Sequence, residues 1–346
     1  MKWLVPADRR IRAGIIGCGG MGSLHAQMIM RHPELIHIGA CADVDAERAR
    51  DFASKYAAEA SYGDYRELLT REKLDLLIIA TWPHQHEGHV LAAVEAGVPA
   101  ILCEKSLSTT GASAARMALA ARQAGTLLVE GFQWRHHPRT LKVQELFRAG
   151  RIGRLLSVRA GFDFLVEGAN NWRLRPECGG GVVFDQTCYC VNALGAFIPD
   201  VPERVSAHWV RRADGLIQAV YATLTYPGGV IGQIESSQLA PYNEPVELHG
   251  ERGILTLDHI WTSNDASYIE VVTGEEWNHN LVRERVEVGA ATPWECHIVY
   301  LCHCLHTGEQ PRFHIEESVR NVSVIEAMLK SAETGVYVKP AVPEGF

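Results

Sequence analysis

Between Ile11 and Phe132, short apolar runs alternate with segments of helical spacing, and this alternation limits the possible folds more than any other feature of the chain. "IRAGIIGCGG" is followed by "GSLHAQMIMRH", "LIHIGACAD" by "DAERARDFASKYA", and "LDLLIIAT" by "EGHVLAAVEAG". "PAILCEK", "TTGASAARMALAARQAG" and "TLLVEGF" complete the series. A near-continuous apolar run such as "LDLLIIAT" suits a strand buried on both faces, and repeated β-α units imply a parallel sheet covered by helices. After Phe132 the pattern changes. A helical segment, "RTLKVQELFRAG", precedes "LLSVRAGFDF", "RVSAHWV", "AVYATLTYP", "VIGQIESSQ", "PVELHGERGILTLD" and "SYIEVVTG". Successive strands with short Gly/Pro turns predict a mostly antiparallel open sheet. The sequence therefore predicts an α/β protein with two domains. Residues 1–131 form a doubly wound parallel sheet, and residues 132–346 a second α/β domain for substrate binding and oligomerisation. The last helix is free to pack back on the first domain.

A chain of 346 residues with 47% hydrophobic and 21% charged residues has the composition of an ordinary globular protein large enough for two domains. Its 33 basic and 41 acidic residues give a net charge of −8, and no Lys/Arg run stands out, which argues against nucleic acid or an anionic membrane as partner. No apolar run reaches the ~18 residues of a membrane span. "MKWLVPADRR" is too short in its apolar part for a signal peptide. Nine cysteines without such a signal read as reduced thiols in a cytoplasmic protein, with disulfides the weaker reading.

"GCGGMG" places Gly17, Gly19 and Gly22 in the G-x-G-x-x-G pattern, with Gly20 and Met21 inside it. The motif is weak alone. Here it follows a strand and opens a helix, which is the context of a dinucleotide-binding Rossmann turn. The glycines permit a tight turn and close approach of a pyrophosphate, and the helix start offers N–H groups to the anion. Asp43 ends the second strand, where a carboxylate accepts bonds from ribose hydroxyls. The cofactor expected is NAD, with NADP left open, and Arg48 reads as a solvated surface charge.

At "ATWPHQHEGHVLAAVEAG…ILCEKSLS" the chain resembles the glucose–fructose oxidoreductase / inositol dehydrogenase (Gfo/Idh/MocA) oxidoreductases, over nearly all its length, from Gly14 to about Val338. The resemblance implies that Glu104, Lys105 and Ser106 stand for the family's Glu-Lys-Pro, with serine in place of proline, and that the lysine works at the reacting hydroxyl. It implies that Thr81, Trp82, Pro83 and His86 lie near the nicotinamide, with Trp82 where the pattern is smaller and His84 in place of asparagine. Without the resemblance, His86 could equally cap or pack the helix that follows. A lysine at the carboxyl end of a parallel strand also lies where open α/β sheets bind ligands.

"GGGVVFDQTCYCVNAL", Gly179 to Leu194, corresponds to the family's active-site helix. Asp185 takes the first aspartate, while Thr187, Tyr189 and Asn192 replace glycine, histidine and the last aspartate. This resembles the branch in which the tyrosine is the acid/base. On an α-helix, Asp185, Tyr189 and Asn192 share a face, whereas Cys188 and Cys190 point about 200° apart and cannot share a metal or a disulfide. A tyrosine with pKa near ~10 needs a nearby cation to act as a base at neutral pH, and Lys105 is the candidate. Asp185 would orient the lysine or a substrate hydroxyl, and Asn192 would bind substrate.

"FQWRHHP" and "NNWRLRP" each offer Trp with Arg, suited to a polar ring, so Arg135, His136, Trp172 and Arg173 are substrate-side candidates, with packing or subunit contact as the equal alternative. In "CHCLH", only Cys302 and His306 share a face, so no metal is expected. The expected activity is hydride transfer between a nicotinamide cofactor and a secondary hydroxyl or carbonyl of a sugar, cyclic polyol or diol. Two alternatives stay open: a lyase or glycosidase-like enzyme using bound NAD transiently, and a non-catalytic cofactor-binding sensor. A homodimer or homotetramer is expected, built on an exposed face of the second sheet.

Overall fold

The apolar runs of the first third become six strands: β1 (Ile11–Ile16), β2 (Ile36–Ala42), β3 (Ala60–Tyr62), β4 (Leu76–Ile79), β5 (Ala100–Cys103) and β6 (Leu127–Glu130). In this computed structural model, which describes residues 1–168, 171–176, 179–262, 267–274 and 280–346, they form one parallel sheet in the order β3-β2-β1-β4-β5-β6. The chain runs outward from β1 to β3 and then returns to β4 on the other side of β1. Such a reversal opens a crevice at the strands' carboxyl ends. The connecting helices are α1 (Gly20–Met30), α2 (Ala46–Tyr56), α3 (Tyr65–Arg71), α4 (His86–Glu95) and α5 (Gly111–Ala124). Their ends follow the local chemistry. Asp45 caps α2 by accepting the Glu47 and Arg48 N–H groups, and Thr110 caps α5 by accepting that of Ser113. Helix α1 has no side-chain cap and no acid in its first turn.

The chain divides into two compact units, Met1–Phe132 with Trp294–Val319, and Gln133–Pro293 with Arg320–Phe346. In the first, α8 (Pro293–Thr307) lays Ile298, Leu301, Cys302 and Leu305 into a core with Ile11, Ile15, Leu76, Ile78 and Leu102. These helix positions are i, i+3, i+4 and i+7, the spacing of one buried face. Cys302 is thus a core residue. His303 faces Glu309 at 3.0 Å and His306 faces the Val5 carbonyl at 3.2 Å.

The second unit contains α6 (Pro138–Arg148), α7 (Cys188–Phe197) and eight strands: β7 (Leu155–Asp163), β8 (Arg204–Arg211), β9 (Ile217–Thr225), β10 (Ile231–Ser237), β11 (Val246–Gly250), β12 (Gly253–Leu257), β13 (Ser267–Thr273) and β14 (Val282–Val288). Their order is β14-β13-β12-β11-β7-β10-β9-β8. Every neighbouring pair is antiparallel except β7 with β10. Helix α9 (Ile315–Thr334) runs through the boundary between the units.

One local expectation is corrected. The segment carrying Asp185 is not continuous α-helix: Val183–Thr187 form a π-turn in which the Thr187 N–H reaches the Val182 carbonyl at 3.0 Å, and α-helix begins only at Cys188. The extra residue in that turn breaks the i,i+4 relation assumed between Asp185 and Tyr189.

Two outcomes follow from this packing. A Cβ on Gly22 would lie 2.0 Å from the Gly17 carbonyl oxygen. Gly22→Ala should destabilise the fold by about 1–3 kcal/mol in denaturant unfolding, as overpacking does. His297 on α8 is 1% exposed, and burial, with His25 nearby, lowers its pKa from 6.5 to about 3. The unfolded chain takes up this proton below 6.5 and the folded chain does not, so stability is full above 6.5 and falls on acidification, by about 1.4 kcal/mol per pH unit for a single such group. His297→Leu should therefore flatten the decline in melting temperature between pH 6.5 and 5; an unchanged slope would contradict this.

Candidate active site

The glycine turn is built by close approach of backbone. Gly17 has φ 96°, and a Cβ there would lie 2.6 Å from the Ala80 carbonyl oxygen, so no other residue suits the position. At Gly19 and Gly20, by contrast, a Cβ would meet nothing within 4 Å. Beside the turn lies a cleft of about 210 Å³ bordered by Gly17, Gly19, Asp43, Arg48, Thr81 and Trp82. Gly20, Met21 and Gly22 form the first turn of α1. An uncapped helix start, open space over two glycines and an adjoining cleft are what a dinucleotide's pyrophosphate and ribose require. The residues present therefore fit a nicotinamide dinucleotide.

Asp43 does more than face that cleft. Its Oδ2 accepts the Cys18 N–H at 2.9 Å, and its Oδ1 accepts the Asp45 N–H at 3.0 Å and Arg48 Nη1 at 3.3 Å. Three of roughly four acceptor positions of the carboxylate are thus occupied by the protein. Arg48, read from the sequence as a solvated surface charge, is 53% exposed, and it also pairs with Asp43 and Asp45 and borders the cleft. Tyr65, Gln85 and His89 also border it and were not singled out in the sequence. His89 Nδ1 meets Thr81 Oγ1 at 3.0 Å, and its ring stands edge-on to Tyr65 with centroids 4.4 Å apart. Burial lowers its pKa to about 4, with repulsion from His86 and Arg66 adding to the effect, so the ring is neutral at physiological pH.

His86 was expected near the nicotinamide. It is fully buried, with Nε2 at 3.0 Å from the Thr81 carbonyl and Nδ1 at 3.0 and 3.2 Å from those of Ser106 and Leu107. Both ring nitrogens therefore face backbone carbonyls; burial lowers the pKa of His86, and the neutral ring donates through one of them. Pro83 is buried at the start of a short 3-10 turn, while Trp82 is 40% exposed beside the cleft.

Glu104, just past β5, is buried and meets His25 Nε2 at 2.7 Å through Oε1, while Oε2 accepts the Lys105 N–H at 3.1 Å. Burial pushes its carboxyl up, but His25 and Lys105 outweigh that and the net shift is downward, so Glu104 is an anion. Lys105 itself is half-buried, and its peptide to Ser106 is cis. His25 and Glu130 were missed at the sequence level. The signal for Glu130 was there, since it ends an apolar strand run as Glu104 does.

In the second unit, Tyr189 is 6% exposed and its hydroxyl exchanges hydrogen bonds with the Gln133 amide, accepting from Nε2 at 3.0 Å and donating to Oε1 at 3.1 Å. Gln133 also donates to the Trp261 carbonyl at 3.1 Å, and the Tyr189 ring packs in a triangular cluster with Phe162 and Trp261, at 5.3 and 5.4 Å, those two being 6.1 Å apart. Asp185, expected to orient a lysine or substrate hydroxyl, accepts Arg173 Nε at 2.5 Å; Arg173 also stacks over Trp172 at 4.9 Å. Two residues expected on the substrate side, Trp172 and Arg173, are thus drawn together with Asp185. Asn192 is 1% exposed: its Oδ1 accepts Trp134 Nε1–H at 2.9 Å, and its Nδ2 has no partner among the described residues. Arg135 and His136 are buried, and Asn170 lies outside the described residues. Cys190 is fully buried, and burial holds its thiol protonated.

Residues 11–132 match the family described as "Oxidoreductase family, NAD-binding Rossmann fold", and residues 140–256 match the "GFO/IDH/MocA C-terminal domain". The chain is 30% identical over 331 residues to D-xylose 1-dehydrogenase (NADP(+)) 2 of Haloferax volcanii, covering 94% of this chain and 98% of that protein. It is 31% identical over 271 residues to trans-1,2-dihydrobenzene-1,2-diol dehydrogenase of Bos taurus, covering 77% of this chain and 78% of that one. Among solved structures it is similar to a 3-ketoreductase from Actinomadura kijaniata in complex with NADP and TDP-benzene, with TM-score 0.84 and 26% identity over 93% of this chain and 98% of that one. Together with the parallel sheet, the glycine turn and its cleft, these matches show that the chain belongs to the Gfo/Idh/MocA family of NAD(P)-dependent oxidoreductases.

Proposed function

We propose that the protein moves a hydride between a nicotinamide cofactor and a secondary hydroxyl or carbonyl carbon of a sugar, cyclic polyol or diol. The observation that carries this reading is the glycine turn with its open helix start and adjoining cleft, in a chain whose relatives are named for a pentose, a cyclic diol and a keto group. The bound nicotinamide supplies the hydride acceptor or donor. The chain's own residues hold the substrate oxygen, taking its proton in the oxidation and returning it in the reduction. In this proposal Lys105 donates to that oxygen and Tyr189 takes its proton, the lysine's charge favouring the phenolate. Asp185 fixes Arg173, leaving the guanidinium's other donors for substrate hydroxyls. Solved forms of the 3-ketoreductase include a lysine-to-alanine and a tyrosine-to-phenylalanine variant of that enzyme. No observation favours the transient-redox or sensor alternatives.

For the cofactor, the occupied Asp43 carboxylate and its pairing with Arg48 support acceptance of NADP beside NAD, because the guanidinium muffles the charge that would repel a 2′-phosphate and can itself bind one. A homodimer or homotetramer formed through the exposed face of the second sheet is also proposed. That face carries a polar cleft of about 490 Å³ lined by Arg159, His208, Tyr221 and Glu235 among others.

Two variants test the chemistry. Lys105→Ala and Tyr189→Phe should each lower kcat by about 10²–10⁴-fold in steady-state assays, the usual range for a lost proton-transfer group, while still binding reduced nicotinamide in a fluorescence titration. Tyr189→Phe with most of its turnover intact would remove the tyrosine from the mechanism. Arg48→Ala should cut kcat/KM for NADP about tenfold or more and that for NAD far less, the loss of one charge-assisted contact. Equal loss for both nucleotides would refute the role given to Arg48.

A further inference from the structure

Two carboxyls end adjacent strands of the first sheet, and only Glu104 enters the reading above. Glu130 closes β6, opposite Cys103 in the register. It is 1% exposed. Its Oε1 accepts the Leu107 N–H at 2.6 Å, two residues beyond Lys105. Oε2 has no well-formed hydrogen bond among the described residues, although the Ser318 hydroxyl of α9 faces the carboxyl. The same turn is held by other side chains. Glu104 takes the Lys105 N–H, and His86 Nδ1 faces the carbonyls of Ser106 and Leu107. Two main-chain N–H groups of Lys105–Leu107 are therefore held by buried carboxyls, with two carbonyls facing His86, and the Glu130 contact is the shortest of these.

A neutral group would serve as anchor equally well, so the carboxyl calls for a further reason. The charged groups facing Glu130 are Glu104 and Lys105 at the end of β5, and burial keeps the Cys103 thiol protonated. Burial pushes the Glu130 carboxyl up to about 7, with Glu104 adding to the effect and Ser318, the Leu107 N–H and Lys105 opposing it. Near neutral pH, then, the number of anions beside Lys105 changes between one and two.

We propose that Glu130 is a positioning residue for the Lys105 turn: it anchors the Leu107 N–H and, as the second carboxyl beside Lys105 after Glu104, sets the local charge in which that lysine works. This rests on the assignment of Lys105 to the reacting oxygen. Glu130→Gln keeps a carbonyl acceptor for Leu107 and removes the titration; Glu130→Leu removes both.

The wild-type kcat/KM profile should bend near pH 7, and the Gln variant should lose that bend. Stability gives a readout independent of turnover. Glu130 keeps its proton up to about 7 in the folded chain, against 4.5 for an ordinary glutamate. Its stabilising contribution is thus full below 4.5 and lost as pH rises to about 7. Urea unfolding across this range should lose that component in Glu130→Gln. Glu130→Leu should lower kcat at least about tenfold, with the KM for nucleotide within about threefold. If the Leu variant does not fold, the Gln variant decides. A cooperatively folding Glu130→Gln whose rate and stability profiles both superimpose on the wild type would overturn the proposal. Full turnover in Lys105→Ala would instead overturn the role of the lysine, and leaves the stability test of Glu130 standing on its own.

Discussion

The 2.7 Å contact between His25 and Glu104 joins the helix that starts at the glycine turn to the strand end that carries Lys105. The dinucleotide cleft lies across the chain reversal, bordered by the ends of β1, β2 and β4, and the candidate catalytic lysine follows β5; this buried pair ties α1 to that strand end. Glu104 can be an anion at 4% exposure only because His25 and Lys105 compensate the burial. Gly131 is adapted to it, since a Cβ there would lie 3.0 Å from Glu104 atoms. The neutral His297 belongs to the same surroundings, held uncharged by burial and by His25. The polar interior of the first unit is thus a chain of dependences that ends at one short turn, Lys105–Leu107.

Much of this was legible in the sequence. The strand and helix alternation gave the parallel sheet, and "GCGGMG" in its context gave the turn, because both rest on local pattern and backbone sterics. The helical spacing of "WECHIVYLCHCLHTG" was visible too, with Cys302 as one of its buried positions. What the sequence hid is side-chain direction and long-range partners. Arg48 is a surface charge, as read, but spacing alone does not show its guanidinium turning back to Asp43 five residues earlier. The carbonyl partners of His86 lie 20 and 21 residues on, past another strand. Asp185 was placed by α-helical spacing, and a π-turn is invisible to a 3.6-residue period.

The chemistry places different demands on the two units. The first offers open backbone, a cleft and a lysine on a clamped turn. The second offers a tyrosine whose hydroxyl is held by Gln133 and whose ring is packed against both Phe162 and Trp261, together with an arginine fixed by Asp185. In the proposed reaction, a phenol fixed in this way would lose little freedom on meeting a substrate oxygen.

The most direct test of this account is the absorbance of reduced nicotinamide, followed for the purified protein with NAD and with NADP against a panel of aldoses, inositols and vicinal diols. The account predicts steady accumulation with a narrow set of these compounds, with NADP used as well as NAD. No accumulation with any compound, from protein shown by calorimetry to bind the nucleotides, would contradict net hydride transfer as the protein's reaction.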